Sequence, residues 1–391
     1  SYAITTVSGA GSRWDNTQFL KVGVRGTAYL NIEQGAVVTN TDGTLGLQGS
    51  SLGKVEIHDA SSRWDNTGSL TVGLAAWGLL YIHDAAVGTS LDGAIASDLS
   101  GKGRVDVNKG GSWTMTDGLT VAQSGSGRLF VNSGGQVSNK TAVIALKAAA
   151  KGEVTVQDAG SLWTSSAALT VAAAGDGSLQ VLDGGQVRSL KGAVAYDASS
   201  LGHVVVSGAG SRWDNTQTLT VGVYGMGEMA VQQGAAVTSM VGRIGDEAGS
   251  NSLVSVEGAG STWKNTSALF VGVLGQGTLR IAEGGLVESA GATIGFGAGG
   301  KGRVEIMADI NAGTPAKWIN SGDLVVGNLG EGILALRTNS QLTVTGGDIV
   351  IAQQAGSTGK LIIGTELGES QAGQLTAPRI RFGSGDGALV F

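Results

Sequence analysis

The chain contains no cysteine and only two prolines in 391 residues. Without cysteine there is no disulfide framework, no thiolate metal site and no thiol nucleophile. The absence also suits a chain that crosses an oxidising compartment before folding, because no bridge can form early. Charge is scarce as well. Charged residues make up 14% and the net charge is −6, which gives no electrostatic case for nucleic acid or an anionic membrane. Long hydrophobic runs are missing: the stretch Ala142 to Ala150 is broken by Lys147, so no segment reads as a membrane-spanning helix. No signal peptide precedes Ser1, and a secreted protein with this sequence is expected to be a mature or excised piece.

What is plentiful is glycine, 68 residues, set among 41% hydrophobic ones. No collagen-like triplet occurs, and apolar residues alternate with small polar ones. This is the composition of a folded, strand-rich chain with many turns.

Seven of the eight tryptophans form a row: Trp14, Trp64, Trp113, Trp163, Trp213, Trp263 and Trp318, with gaps of 50, 49, 50, 50, 50 and 55 residues. A fixed period of this length marks a stacked-repeat architecture. The unit around each tryptophan reads GAGSRWDNTQFLKVG from Gly9, GAGSRWDNTQTLTVG from Gly208 and GAGSTWKNTSALFVG from Gly258. Midway lies a second motif, GGQVSN from Gly134, GGQVRS from Gly184 and GGLVES from Gly284. It puts a valine in the tryptophan slot, read as Val38, Val87, Val137, Val187, Val237 and Val287. The true unit is therefore about 25 residues in two alternating flavours.

Each unit holds three short alternations: an L-x-V-G segment, a segment such as Val55/Ile57 or Leu80/Ile82, and the W-x-N or V-x-S segment. Period two with β-branched residues means strands, separated by glycine corners that supply positive φ. Three short strands per coil predict an all-β, right-handed parallel β-helix (solenoid) of about 15 coils, its handedness following from the parallel crossover rule. The expected domain is single, 1–391: regular coils over 1–342, a protruding loop near 309–315, and less regular coils over 343–391. Tryptophan and valine should alternate in one inward column, each buried side chain contributing ~1.5–3 kcal/mol. Two residues on, a polar column that includes Asn40, Asn66, Asn139, Ser165 and Asn265 should hydrogen-bond between coils and pin the register.

The tandem of GAGSxWxNTxxLxVG and GxGxLxIxxGGxVxS, with the ending LTAPRIRFGSGDGALVF from Leu375, resembles the passenger domains of classical monomeric (type V secretion) autotransporters. Within them it is similar to the adhesin branch that includes the diffuse-adherence adhesin and Antigen 43. The resemblance covers nearly the whole chain. It implies a β-helix displayed on the bacterial cell surface, tethered to the outer membrane through a missing C-terminal barrel, or secreted. It also implies binding to host matrix proteins, to cell-surface glycans or to a second copy, with roles in attachment, biofilm and aggregation.

Catalysis has little support in the residues. A serine-protease triad needs a Gly-Asp-Ser-Gly-like turn, and the nearest look-alike, Gly383-Ser384-Gly385-Asp386-Gly387, belongs to the C-terminal ending. A carbohydrate-active enzyme would place carboxylates on neighbouring coils. One outward column runs Glu33, His58, His83, Asn108; its neighbour runs Gln34, Asp59, Asp84, Lys109. Acids stacked ~4.8 Å apart in such a column are expected to raise one another's pKa or share a cation. The same residues also suit a solvated corner after a strand. Trp77, the tryptophan outside the row, precedes the outward Tyr81, and exposed aromatics stack on sugar rings. These features make Trp77, Tyr81, Glu33, His58, Asp59, His83, Asp84 and Lys109 candidate ligand-binding residues. Thr71, Thr120, Thr170 and Thr220 form an outward column suited to self-association by many weak contacts. No cofactor, metal or catalytic residue is assigned. The reading is a non-catalytic adhesin, with cell–cell aggregation as the alternative and a carbohydrate-active β-helix as the third.

Overall fold

A computed structural model describes residues 1–309, 313–364 and 372–391. The chain is an all-β parallel solenoid of about 15 turns, successive turns lying about 25 residues apart. It falls into two compact units, Ser1–Leu190 and Lys191–Phe391. The loop predicted near 309–315 lies partly outside the described residues, since 310–312 are not among them.

In the first unit one sheet of long strands, six or seven residues each, stacks from Tyr2–Ser8 through Thr27–Glu33, Leu52–Ile57, Trp77–Ile82, Lys102–Val107, Ser126–Val131 and Lys151–Gln157 to Asp176–Leu182. Every pairing is parallel and in register, so Trp77 lies between Leu52 and Lys102, and Tyr81 between Glu56 and Asp106. Alternation decides the faces. In Trp77–Ile82 the residues Gly78, Leu80 and Ile82 are buried, while Trp77, Leu79 and Tyr81 point outward. The second unit repeats the plan from Leu201–Ser207 to Asp386–Val390.

The tryptophan row is core. Trp64, Trp113, Trp163, Trp213, Trp263 and Trp318 are fully buried. Trp14, in the first coil, packs against Val38 on one side and is only half-buried. Tryptophan and valine alternate as predicted: Val38 stacks on Trp64, Val137 lies between Trp113 and Trp163, and Val237 between Trp213 and Trp263.

One coil departs from the sequence reading. Gly88, not Val87, lies between Trp64 and Trp113, and Val87 pairs with the outward Arg63 and Ser112. The spacing of 23 residues from Trp64 to Val87 turned that valine to the other face, as any one-residue slip in a period of two must. A Cβ on Gly88 would come within 2.8 Å of Ile82 Cδ1, so isoleucine fills the space that valine takes elsewhere.

The polar column is inward and bonded. Trp64 donates its indole N–H to Asn40 Oδ1 of the preceding coil at 2.6 Å, and Asn40 donates on to Asn66 at 2.6 Å. The pattern recurs in Trp163 to Asn139 (2.7 Å), Trp263 to Ser239 (3.3 Å) and Trp318 to Ser289 (3.0 Å). Each of these tryptophans thus brings its donor to an amide or hydroxyl one coil back, which satisfies a polar group that burial would otherwise penalise. Met115 occupies the slot after Trp113, whose indole still donates one coil back, to Ser90.

Candidate functional site

The eight residues singled out as ligand contacts all project from one face and one corner of the second to fifth coils of the first unit. Glu33, His58 and His83 follow one another at the ends of the long strands; Asp59, Asp84 and Lys109 occupy the next position on the corner. At that corner the chain turns through the left-handed region, with φ of 74° at Asp59, 54° at Asp84 and 47° at Lys109. Aspartate tolerates that conformation better than most residues with a side chain, so part of the acidic column answers to backbone geometry. Asp59 accepts the Gln34 amide of the preceding coil at 3.1 Å, and Asp158 accepts the Ser133 amide at the same distance in a coil far from any candidate.

The two histidines are held between carboxylates. His58 places Nε2 3.0 Å from Glu33 and Nδ1 3.1 Å from Asp59. His83 places Nε2 3.1 Å from Glu56 and Nδ1 2.6 Å from Asp84. The rings stack with centroids 5.5 Å apart and planes 8° apart, as the coil spacing dictates. Lys109 closes the row 3.6 Å from Asp84.

Asp84 does push Asp59 upward, as expected of stacked acids, but the net shift of both carboxyls is downward. The Gln34 amide, helped by His58, holds Asp59 below the usual carboxylate range despite partial desolvation and the nearby Asp84. His83, with Lys109, does the same for Asp84. Burial pulls Glu56 upward, but hydrogen bonds from Lys54 and His83 together outweigh it and the carboxyl lies below its ordinary value. The carboxylates are neutralised by neighbours rather than by each other.

Along the same face runs a stair of cations and rings that the sequence reading took apart. Lys54 lies 5.1 Å from the Tyr81 ring and pairs with Glu56 at 2.7 Å. Arg104 lies 4.6 Å from the Phe130 ring and pairs with Asp106 at 2.7 Å. Lys102 lies 5.1 Å from the Trp77 ring. Each cation covers an aromatic ring one coil away, an arrangement worth roughly 0.5–1 kcal/mol per pair at exposed sites. Tyr81 is thereby half-buried, whereas Trp77 keeps 48% of its surface open. Lys102 and Phe130 were missed, although steps of 25 and 24 residues along the strands lead from Trp77 to Lys102 and onward to Ser126.

The threonines lie elsewhere. Thr71, Thr120 and Thr170 point outward from the L-x-V strands, with Ala94 and Val143 between them in register. Thr220, in the second unit beside Ala193, is 8% exposed and offers little surface. Among the described residues no group of three or more His, Asp or Glu side chains is arranged to hold a metal ion. Among the described residues no helix is long and apolar enough to cross a membrane.

No protein-family profile and no curated protein matches the chain. Among solved structures it is similar to one described as the crystal structure of the TibC-catalysed hyper-glycosylated TibA fragment. The match has 14% sequence identity and a TM-score of 0.30, covering 97% of this chain and 100% of that one.

Proposed function

We propose that this chain is a non-catalytic adhesin of the autotransporter-passenger type, displayed at a bacterial surface or released, which attaches to host matrix proteins or glycans and supports biofilm. The observation that carries the reading is the convergence, on one face of the first unit, of the exposed Trp77 with Tyr81, Phe130 and an ordered set of cations and carboxylates. Ion pairs hold these groups in place before any ligand arrives, and such pre-organisation lowers the cost of binding. Against an enzyme stands the engagement of the carboxylates. Glu33, Glu56, Asp59 and Asp84 each face a histidine, whereas a glycosidase pair needs one acid with a raised pKa facing a second across a substrate.

The test is Trp77→Ala combined with Tyr81→Ala, assayed on a glycan array and a matrix-protein panel. Loss of about tenfold or more in affinity for whatever the unmodified chain binds is the expected result. Unchanged binding would remove this face from the reading. A second reading, self-association, draws on the half-buried strip Thr71, Ala94, Thr120, Val143 and Thr170, whose small side chains would let two copies approach closely. Sedimentation of the isolated chain decides it: a monomer at all concentrations excludes that strip as a strong interface.

A further inference from the structure

We propose, on the adhesin reading of this face, that the exposed column Trp77–Lys102–Ser126–Lys151 binds an acidic saccharide laid along the stacked coils. The four residues are consecutive register partners on adjacent long strands, and each is exposed.

The choice of an acidic ligand follows from which cations are already spent. Lys54 is paired with Glu56, Arg104 with Asp106, Lys109 with Asp84, and Arg128 with Glu153 at 2.8 Å. Lys102 and Lys151 have no carboxylate within ion-pair distance among the described residues; the contact of Lys102 is the Trp77 ring. Two ammonium groups without an ion pair therefore stand in one column of a chain whose net charge is negative.

Geometry supplies the rest. Lys102 and Lys151 are two coils apart, ~10 Å at the strand spacing of a β-sheet, which is about the reach of two linked pyranose rings. Trp77, 48% exposed, offers ring surface at one end for the apolar side of a sugar, and the small Ser126 separates the two lysines. Charge also fixes the direction. Glu33, Glu56, Asp59 and Asp84 gather at the far ends of the strands, so an anionic chain is repelled from that corner and held to the column beside Trp77. Asp176, the next register partner after Lys151, ends the track.

The negative group is a carboxylate or a sulfate, and the experiment separates the two. Uronate- or sialate-bearing oligosaccharides are arrayed beside their carboxyl-reduced counterparts, and O-sulfated ones beside their desulfated counterparts. They are probed with the unmodified chain and with Trp77→Ala, Lys102→Gln, Lys151→Gln and Lys54→Gln. The expected result is preference for an acidic member over its neutral counterpart by about tenfold or more, reduced severalfold by Lys102→Gln and by Lys151→Gln and weakened by added salt. Trp77→Ala lowers binding of both members of a pair, and Lys54→Gln, whose lysine is already paired, preserves the preference. Equal binding of acidic and neutral members, or a preference indifferent to both lysine replacements, overturns the acidic assignment. If those results come with loss on Trp77→Ala, the adhesin face survives with a neutral ligand; if Trp77→Ala also changes nothing, the face itself is wrong.

Discussion

At the scale of single residues, the indole N–H of the tryptophan row does more for specificity than the ring does. A ring can be buried in several orientations, but the bond from Trp163 to Asn139 at 2.7 Å and from Asn139 to Ser165 at 3.0 Å admits one register. Asn139→Ala should therefore cost more than the area it removes, about 1–3 kcal/mol, because a buried donor is left without an acceptor. Trp163→Phe in the same background should recover part of that loss, since the orphaned donor is gone. A double-mutant cycle by urea unfolding measures the coupling, and purely additive effects would show that the bond does not hold the register. The inward placement of these rings was legible because the two motifs alternate. Their hydrogen-bond partner was only half legible: the polar column stood out in the sequence, the indole donor feeding it did not.

At the scale of the coil, side-chain direction is set by count rather than by motif. The stretch Ala86-Val87-Gly88 looks like its sister motifs, yet its valine is the counterpart of the outward Val37 and its glycine takes the inward slot that Val38 fills. For the same reason the candidate residues of the long strands were legible as columns, while the pairing of Lys54 with Tyr81 and Arg104 with Phe130 was not. Those contacts join different columns on different coils, and no spacing along the chain encodes a diagonal. The corner that carries Asp59 and Asp84 also has a calculable response to acid. Both carboxyls, and Glu56, lie below their ordinary values in the folded chain. Their stabilising effect is complete above the unfolded carboxylate range and is lost as pH falls through the lower folded values. Amide exchange of Gln34, whose N–H is bonded to Asp59, reports this directly. Protection should stay level down through the carboxylate range of unfolded chains, about pH 4, and weaken only at lower pH. Protection that stays level even well below that range would mean the Asp59 bond does not organise the corner.

At the scale of the whole molecule, the energetics are those of a one-dimensional stack, in which each coil contacts only its neighbours. That frees the outward columns to vary, because an exposed side chain on one coil places no demand on a distant one. The interior has no such freedom. Val137 lies between Trp113 and Trp163, and Val237 between Trp213 and Trp263. A large ring is packed on a small branched side chain, and two rings in adjacent coils would overfill the layer.

The alternation therefore acts as a rule of inheritance for chain length. A solenoid of identical coils can gain or lose any one of them, but this one changes length safely only in pairs. Deleting residues 126–150 joins Gly125 to Lys151 in strand register yet sets Trp163 directly on Trp113 and faces its indole with Met115 instead of Asn139. Deleting 126–175 joins Gly125 to Asp176, removes a valine coil and a tryptophan coil together, and restores ring against valine through Val187. The larger deletion should melt higher than the smaller one. The reverse order would show that the two flavours of coil are interchangeable, and that the fifty-residue rhythm of the tryptophans records duplication history rather than a packing requirement.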